Sequence, residues 1–519
     1  MMGPEGVFRV IYGKIKREWK IAFLSCFFLG LLIHMPIMLS DIPNHDGLDS
    51  MYFDQNMITS GRWFLMIACG FSSFFTIPWV IGVLGLLFLG CTGAALCELL
   101  EVRKTWAVIL CSGLLVSFPA LACAFAYVFT LDGYMLALLL STLAVLFTRK
   151  FKRGYLPGAV CLAFSMGTYQ AYLAFAMILS VFAILMLFAE EKNGAEGTLK
   201  SRIMGALRYL YMGVIGAGLY VVILQVLLWI QGKELAGYQG IDGMLSGSAR
   251  EGGIFSTVMG MYRDFAAFSL RGNVLFQNVF SLAACILLAA TAVFFLTRNR
   301  KYWKNPALLV IIVLSMLTLP FATNIILLIS PSVTYHLLMR YQWVLYGIGA
   351  VAFISRAEYN TRSGVLLEWT GCLASFVLVF HYGVTDNIAY SNLEKKYEKT
   401  YAYCLRLLDR IEQTEGYYPG VPIAMVGVVG DEQFPSTDLT LSVTSNMIGM
   451  YGDNLLYRGD NYEAFIRHYL GATLNILPAE AMEEMYYAEE YVAMDSFPGE
   501  NSIRMIDGVL YIKTENVMR

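Results

Sequence analysis

Acidic residues gather in one short stretch of an otherwise apolar chain. Four aspartates and one arginine occupy 22 residues, namely Asp41, Asp46, Asp49, Asp54 and Arg62. A carboxylate that is partly removed from water gains basicity and can act as a general base. A guanidinium can bind two phosphate oxygens at once. These residue types suit transfer chemistry on a phosphate ester; the alternative is a set of solvated loop aspartates.

A second group of polar and aromatic residues lies between Tyr335 and Trp343 and includes His336, Arg340 and Tyr341. It brings a cation, an imidazole and aromatic faces together. Sugar rings stack on such faces, and Arg340 is a second candidate for binding phosphate. The alternatives are headgroup anchoring for the arginine and a satisfied interfacial position for the histidine.

Tyr169 and Gln170 form a third candidate pair, inside a 34-residue apolar stretch from Tyr155 to Phe188. Basic residues flank both ends of this stretch, so both ends are predicted to face the cytoplasm. The chain must then turn back around Gly167-Thr168-Tyr169-Gln170. At the outer tip of that hairpin the pair could bind a sugar; a polar pair that packs helices together is the alternative.

The elements that must position these residues are predicted to be membrane helices. Of the 519 residues, 57% are hydrophobic and only 15% are charged, and the mean hydropathy is +0.58. A soluble domain carries about 25% charged residues. The composition therefore excludes a single water-soluble globule and indicates a polytopic α-helical membrane protein.

The composition changes near Gly383, which predicts two domains. Residues 1–383 hold 27 Lys+Arg and 18 Asp+Glu, whereas residues 384–519 hold 10 and 21. We therefore predict a transmembrane module at 1–383 and a small, acidic α/β domain at 384–519. The acidic tail makes nucleic acid an improbable partner.

Apolar runs predict about eleven crossings, with the N-terminus cytoplasmic and the C-terminal domain extracytoplasmic. This orientation places 21 Lys+Arg on the inner face and six in the outer connections, as the positive-inside rule requires. The predicted runs are Ile21–Leu39, Pro78–Leu99, Trp106–Tyr127, Tyr134–Phe147, Leu156–Gly167, Ala171–Phe188, Leu207–Ile230, Val274–Leu296, Ala307–Ile329, Trp343–Ile354 and Val365–Phe380.

Two further regions carry predictions about structure. The outer segment Gln231–Asn273 is rich in glycine and is either a loop that orders over substrate or a flexible connector. In the tail, we predict a helix over Tyr390–Thr414, a strand at Val421–Val429, further helices at Asn461–Leu470 and Ala479–Tyr491, and a hairpin around Asp507-Gly508.

Three short motifs resemble a known family. Asn44-His45-Asp46-Gly47, Ser60-Gly61-Arg62-Trp63 and Gly167-Thr168-Tyr169-Gln170-Ala171 together resemble the bacterial glucosyltransferases of serotype-converting O-antigen modification, over residues 20–380. These enzymes belong to the polytopic GT-C class of glycosyltransferases. The resemblance implies a membrane enzyme of the bacterial cytoplasmic (inner) membrane.

The resemblance also implies a reaction. A GT-C enzyme takes a sugar from a polyprenyl-phosphate donor and transfers it to a cell-surface glycan acceptor at the outer face. The sugar expected here is a hexose, namely glucose. The catalytic carboxylate of the class lies in the first outer loop, where Asp46 matches and Asp49 is the second choice. Gly47 stands where the family often has a second acid, so the choice between the two stays open.

The expected roles follow from these matches and from the residue types. Asp46 or Asp49 is the base, Arg62 and Arg340 bind the donor phosphate, and the sugar and acceptor contacts are Tyr169, Gln170, His336 and Tyr341. A phosphate leaves readily without a general acid. No metal-ligand constellation is evident in the sequence, so we expect neither a cofactor nor a metal. One direct displacement is expected to invert the configuration at the anomeric carbon.

Two alternatives come from other functional classes. A flippase or exporter for lipid-linked oligosaccharides would need a cation-lined path through the helices, and the apolar runs hold few Lys or Arg. A non-enzymatic envelope assembly protein would bind its partner through the C-terminal domain. A pocket that opens only outward would favour transfer.

Overall fold

The computed structural model is mostly helical (76%), as expected of a polytopic membrane protein. It describes residues 3–50, 57–70, 76–190, 198–236, 253–271, 274–298, 303–330, 333–356, 361–426, 443–450, 455–456 and 459–514. Its longer helices are Pro4–Lys14, Arg17–Met38, Pro78–Leu99, Thr105–Ser117, Pro119–Ala126, Leu131–Lys150, Tyr155–Thr168, Leu173–Ala189, Leu199–Gln231, Gly253–Arg271, Val279–Arg298, Pro306–Thr323, Val344–Arg356 and Arg362–Glu412.

Short helical segments connect or extend these helices. The α-helical ones are His45–Ser50, Leu65–Ala68, Ile326–Ile329, Gly459–Phe465, Ala479–Met482 and Glu489–Val492. The 3₁₀ segments are Ile58–Ser60, Val128–Thr130, Gln170–Tyr172, Leu337–Trp343 and Met485–Tyr487, and Ile466–Leu470 is a π-helix.

Nine helices of the described ranges are long and apolar enough to cross a membrane, and a bent pair makes a tenth. The protein is therefore a multi-pass membrane protein. Tyr155–Thr168 is a shorter apolar helix of 14 residues. The predicted count of eleven includes this helix and stays a prediction, as does the orientation.

The bent pair shows why one predicted run is not a single helix. Thr105–Ser117 and Pro119–Ala126 meet at an angle of 43°. Pro119 has no backbone N–H and forces Phe118 into an extended conformation. The carbonyls that the break leaves free are bound from other helices: Tyr341 Oη donates to Leu115 O, and His34 Nε2 lies 2.8 Å from Val116 O.

Two other predictions on helix boundaries were wrong. The run Val365–Phe380 and the tail helix Tyr390–Thr414 are parts of one helix, Arg362–Glu412, of 51 residues. This helix contains no proline that would break it. The predicted helix Ala479–Tyr491 is instead divided into short turns, because Ala488 has an extended backbone (φ −62°, ψ 136°).

The C-terminal residues form a small mixed sheet of four strands: β1 (Pro422–Val426), β2 (Asn475–Ile476), β3 (Ile503–Ile506) and β4 (Val509–Lys513). The order is β2-β1-β4-β3. β1 runs parallel to β2 and β4, whereas β3 and β4 form the predicted antiparallel hairpin. Asp507 and Gly508 both have positive φ (49° and 80°), as a tight hairpin turn requires.

The chain divides into two compact units, and the division differs from a single cut along the sequence. The first unit comprises Met1–Leu39 and Asp54–Asn387. The second comprises Ser40–Phe53 and Ile388–Arg519. A segment of the first acidic loop thus belongs to the same unit as the C-terminal sheet.

Candidate functional site

Two of the three family-like motifs are in direct contact within the first unit. Gly61 has a φ of +76°, and a Cβ added there would lie 2.5 Å from Gln170 Nε2 and 2.6 Å from Tyr220 Oη. A residue with a side chain would clash and would also be strained at this φ. Glycine is therefore required where Ser60-Gly61-Arg62-Trp63 meets Gly167-Thr168-Tyr169-Gln170.

Hydrogen bonds hold this contact together. Gln170 Nε2 donates to Ser60 O at 2.9 Å and to Tyr220 Oη at 3.2 Å. Tyr220 Oη donates in turn to Gly61 O at 3.1 Å. Because Gln170 and Tyr220 are both buried, losing any of these bonds would leave a buried polar group without its partner.

The indole of Trp63 fills the space beside the same contact. The backbone N–H of Phe64 donates to Gly167 O at 2.7 Å, and a Cβ on Gly167 would lie 2.5 Å from the Trp63 ring. Phe164 packs edge-on against that ring, with centroids 5.3 Å apart. Close approach of the Trp63 ring to the backbone thus explains why glycine occupies position 167.

Arg62 lies over an aromatic platform. Its Cζ is 5.5 Å from the centroid of the Tyr169 ring, which stacks on Tyr134 at 4.5 Å and meets Tyr172 edge-on at 5.3 Å. Arg62 is half-buried, whereas Tyr169 is only 4% exposed. We name Gly61, Arg62, Tyr169, Gln170 and Tyr220 the motif cluster.

Arg340 lies in a different environment. Its Nη1 and Nη2 each lie 2.7 Å from a different carboxylate oxygen of Asp264. The guanidinium carbon is 3.7 Å from the Tyr335 ring centroid and 4.7 Å from that of Phe268. Asn324 Nδ2 donates to the same carboxylate at 3.1 Å. We name these residues the arginine–aspartate cluster.

A polar network supports the arginine–aspartate cluster. Gln342 Nε2 donates to Thr323 O and to Tyr335 Oη, both at 2.8 Å. His336 is half-buried, and burial, with a smaller effect of Arg340, lowers the pKa of its imidazole below the ordinary value. His336 is therefore neutral at pH 7 and can both donate and accept a hydrogen bond.

Tyr341, the remaining predicted sugar contact, is 1% exposed. Its ring lies 6.3 Å from both Phe118 and Phe175, and its hydroxyl donates to Leu115 O at the broken helix. In the structure Tyr341 therefore stabilises the helix break. Its role in binding sugar stays a prediction.

Two apolar cavities border the Val344–Arg356 helix of the first unit. One, of about 300 Å³, has Phe265, Trp343 and Tyr382 in its wall. Phe268 of the arginine–aspartate cluster packs against Trp343 with ring centroids 4.6 Å apart. The other, of about 440 Å³, has Tyr346, Phe353 and Arg356 of the same helix in its wall. Tyr346 lines both cavities, so they are adjacent.

The predicted bases lie in the second unit. Asp46 is exposed and occupies the first turn of the His45–Ser50 helix. Asn44 caps this helix, because its Oδ1 accepts the backbone N–H of Gly47 at 2.7 Å. Asp49 belongs to the helix, but its side chain lies outside the described residues.

Sequence reasoning missed several polar residues of the first unit. Asp264 lies in the segment predicted to be a loop, part of which is the Gly253–Arg271 helix. Asp132 is buried in the first turn of Leu131–Lys150, and Tyr220 lies in an apolar run. An acid at the start of an apolar run is a signal that could have pointed to Asp132.

Asp386 was also missed. Neither of its carboxylate oxygens has a hydrogen-bond partner among the described residues, and the side chain is fully buried. Within the same ranges, no group of three or more His, Cys, Asp or Glu residues could hold a metal ion. The expectation that the protein needs no metal stays a prediction.

Comparison with known proteins supplies the family. No curated protein and no solved structure matches the chain. The family model of the glucosyl transferase GtrII matches residues 19–354, a range that includes the motif cluster and Arg340. The chain therefore belongs to the glucosyl transferase GtrII family and is a membrane glycosyltransferase.

Proposed function

We propose that the protein transfers glucose from a polyprenyl-phosphate donor to a cell-envelope glycan at the outer face of the bacterial cytoplasmic membrane. The contact between Ser60-Gly61-Arg62-Trp63 and Gly167-Thr168-Tyr169-Gln170 carries this proposal. It brings a cation and an aromatic platform together within the family match. The match also favours transfer over the flippase and the assembly-protein alternatives.

The proposed chemistry is one direct displacement, as in the GT-C class. The acceptor hydroxyl oxygen forms a bond to the anomeric carbon while the bond from that carbon to the phosphate oxygen breaks. The hydroxyl proton passes to Asp46, or to Asp49 in its place. Arg62 and Arg340 stabilise the negative charge on the departing phosphate, and the configuration at the anomeric carbon inverts.

The cavities favour a lipid-linked donor. A polyprenyl phosphate has a charged head and a long apolar tail. The 300 Å³ cavity has an apolar, aromatic wall and adjoins the arginine–aspartate cluster through Trp343 and Phe268. Apolar walls stabilise a buried prenyl chain, and the adjacent 440 Å³ cavity offers room for further isoprene units.

Asp264 sets a condition on the role of Arg340. A phosphate that binds Arg340 must share the guanidinium with Asp264 or displace it, since both terminal nitrogens face that carboxylate. Arginine has five N–H donors, so the outer hydrogens of the two nitrogens remain available for a second acceptor. Arg340 is therefore proposed to bind the phosphate beside Asp264.

The test replaces Asp46 and Asp49 by Asn, singly and together, in membranes supplied with polyprenyl-phosphate glucose. We expect the double variant to lose transfer by at least about 100-fold, as for removal of a general base. Asp409→Asn, at an exposed carboxylate of the same unit, is the control and should keep full activity. Full activity of the double variant would refute the proposed base.

A further inference from the structure

Ser40–Phe53 and Ile388–Arg519 form one compact unit although they are far apart in the sequence. Tyr469 Oη, for example, lies 3.5 Å from the carbonyl oxygen of Asp41, 428 positions earlier. His468 also interacts electrostatically with the Asp41 carboxylate. The first acidic segment is therefore built into the fold of the C-terminal unit.

The contact centres on two short helices. His45–Ser50 packs against Gly459–Phe465. Both helices contribute buried side chains: Leu48 is 2% exposed, and Tyr462 and Phe465 are fully buried. Phe465 and Tyr469 pack together with ring centroids 4.9 Å apart. A close-packed apolar contact of this kind fixes the direction of the helix that forms it.

The same helix presents Asp46 to solvent. Gly47 and Leu48, the next two residues, are buried, whereas Asp46 is exposed. Asn44 is fully buried and caps the helix through the backbone N–H of Gly47. The Asn44 cap and the buried Leu48 thus fix the backbone on either side of Asp46, and this backbone sets the direction of the Asp46 carboxylate.

We propose that the C-terminal unit positions the catalytic carboxylate, with Asn44, Leu48 and the Gly459–Phe465 helix as positioning elements. This inference rests on the proposed function, because it takes Asp46 as the base. It gives the C-terminal unit a part in catalysis: the unit sets the direction of Asp46, and a change in the unit alters turnover without touching the substrate.

The experiment compares Asn44→Ala, Asn44→Asp, Leu48→Ala and the control Val492→Ala, an exposed position of the same unit. Turnover, the KM for the polyprenyl-phosphate sugar, and hydrogen exchange of residues 40–50 are measured on the full chain. Asn44→Ala and Leu48→Ala should raise exchange and lower kcat by about fivefold to tenfold, with KM unchanged. Asn44→Asp keeps the capping oxygen and should recover most of the loss.

Asp46→Asn separates this inference from the proposed function. That variant should lose transfer while hydrogen exchange of residues 40–50 stays as in the wild type. An inactive Asp46→Asn together with wild-type kcat in Asn44→Ala and Leu48→Ala would overturn the positioning role alone. An active Asp46→Asn would overturn the proposed base, and with it this inference.

Discussion

The motif cluster and the arginine–aspartate cluster each hold an arginine predicted to bind the donor phosphate, but they are built differently. In the motif cluster, glycine allows Gln170 and Tyr220 to approach the backbone, and Arg62 lies over the Tyr169 ring. In the other cluster, Arg340 is stacked on Tyr335 and bound by Asp264.

The difference shows that one residue type with one predicted role can be stabilised in two ways. Close packing and neutral hydrogen bonds hold the motif cluster, so it should be sensitive to side-chain volume. An ion pair holds the arginine–aspartate cluster, so it should be sensitive to charge. Substitutions that change only volume or only charge can therefore separate the two clusters.

The largest effect is expected from Arg340→Gln, which leaves Asp264 without its cation. The unfolding free energy in detergent should fall by about 2–3 kcal/mol, below the ~3–5 kcal/mol of a fully buried pair, because the Asp264 side chain is 29% exposed. Arg340→Gln combined with Asp264→Asn should recover at least half of that loss. If the losses of Arg340→Gln alone and of Asp264→Asn alone add up to the loss of the double variant, the ion pair contributes nothing to stability.

Arg62→Gln is the counterpart in the motif cluster. It should leave the unfolding free energy nearly unchanged and lower transfer by about 100-fold, the effect of removing one donor that stabilises developing charge. Equal losses of stability in Arg62→Gln and Arg340→Gln would contradict the distinction between the clusters.

Gly61→Ala should damage the motif cluster through side-chain volume and backbone strain, with no change of charge. The new Cβ would meet Gln170 Nε2 and Tyr220 Oη at a positive φ, so stability should fall by about 1–3 kcal/mol and transfer should fall with it. Gly232→Ala is the matched control, since it also has a positive φ (+61°) but open space around it, at the end of the helix that carries Tyr220. If both variants behave alike in thermal unfolding and transfer, close packing at Gly61 is not essential.

Tyr220→Phe tests the two hydrogen bonds of the Tyr220 hydroxyl in the motif cluster. It removes the donor to Gly61 O and the acceptor of Gln170 Nε2, and should lower the unfolding free energy by about 1–2 kcal/mol. Tyr211→Phe, at an exposed tyrosine of the same helix, should be neutral in the same measurement. Two indistinguishable variants would show that the hydrogen bonds of the Tyr220 hydroxyl do not stabilise the cluster.

The smallest effect concerns the pH dependence of stability at His336. Since its folded-state pKa lies below the ordinary 6.5, the unfolded chain binds the proton more readily. Stability should therefore fall as pH drops below 6.5 and through the folded pKa. His336→Gln should weaken this decline. An unchanged pH profile of stability in this variant would contradict a lowered pKa of His336 as its cause.

Much of the helical architecture could be predicted from the sequence because long apolar runs determine membrane helices locally. The break at Pro119 was also predictable from its missing N–H. The contact between Ser60 and Gln170 was not, since it joins residues 110 positions apart and depends on packing. Asp264 was overlooked because glycines made its surroundings resemble a loop.

The placement of the first acidic segment could not be predicted either. Composition changes once, near Gly383, and therefore suggests one boundary. The structure instead joins Ser40–Phe53 to the C-terminal unit through buried side chains such as Leu48, and hydropathy along the chain carries no information about that partner.

Transfer by the purified protein tests the central claim most directly. Labelled glucose is offered either on polyprenyl phosphate or on a nucleoside diphosphate, with envelope glycan from the producing bacterium as the acceptor. We predict label in the glycan from the polyprenyl-phosphate donor only, and its loss in Arg62→Gln. Transfer from the nucleoside diphosphate donor in the absence of lipid, or undiminished transfer by Arg62→Gln, would contradict the account.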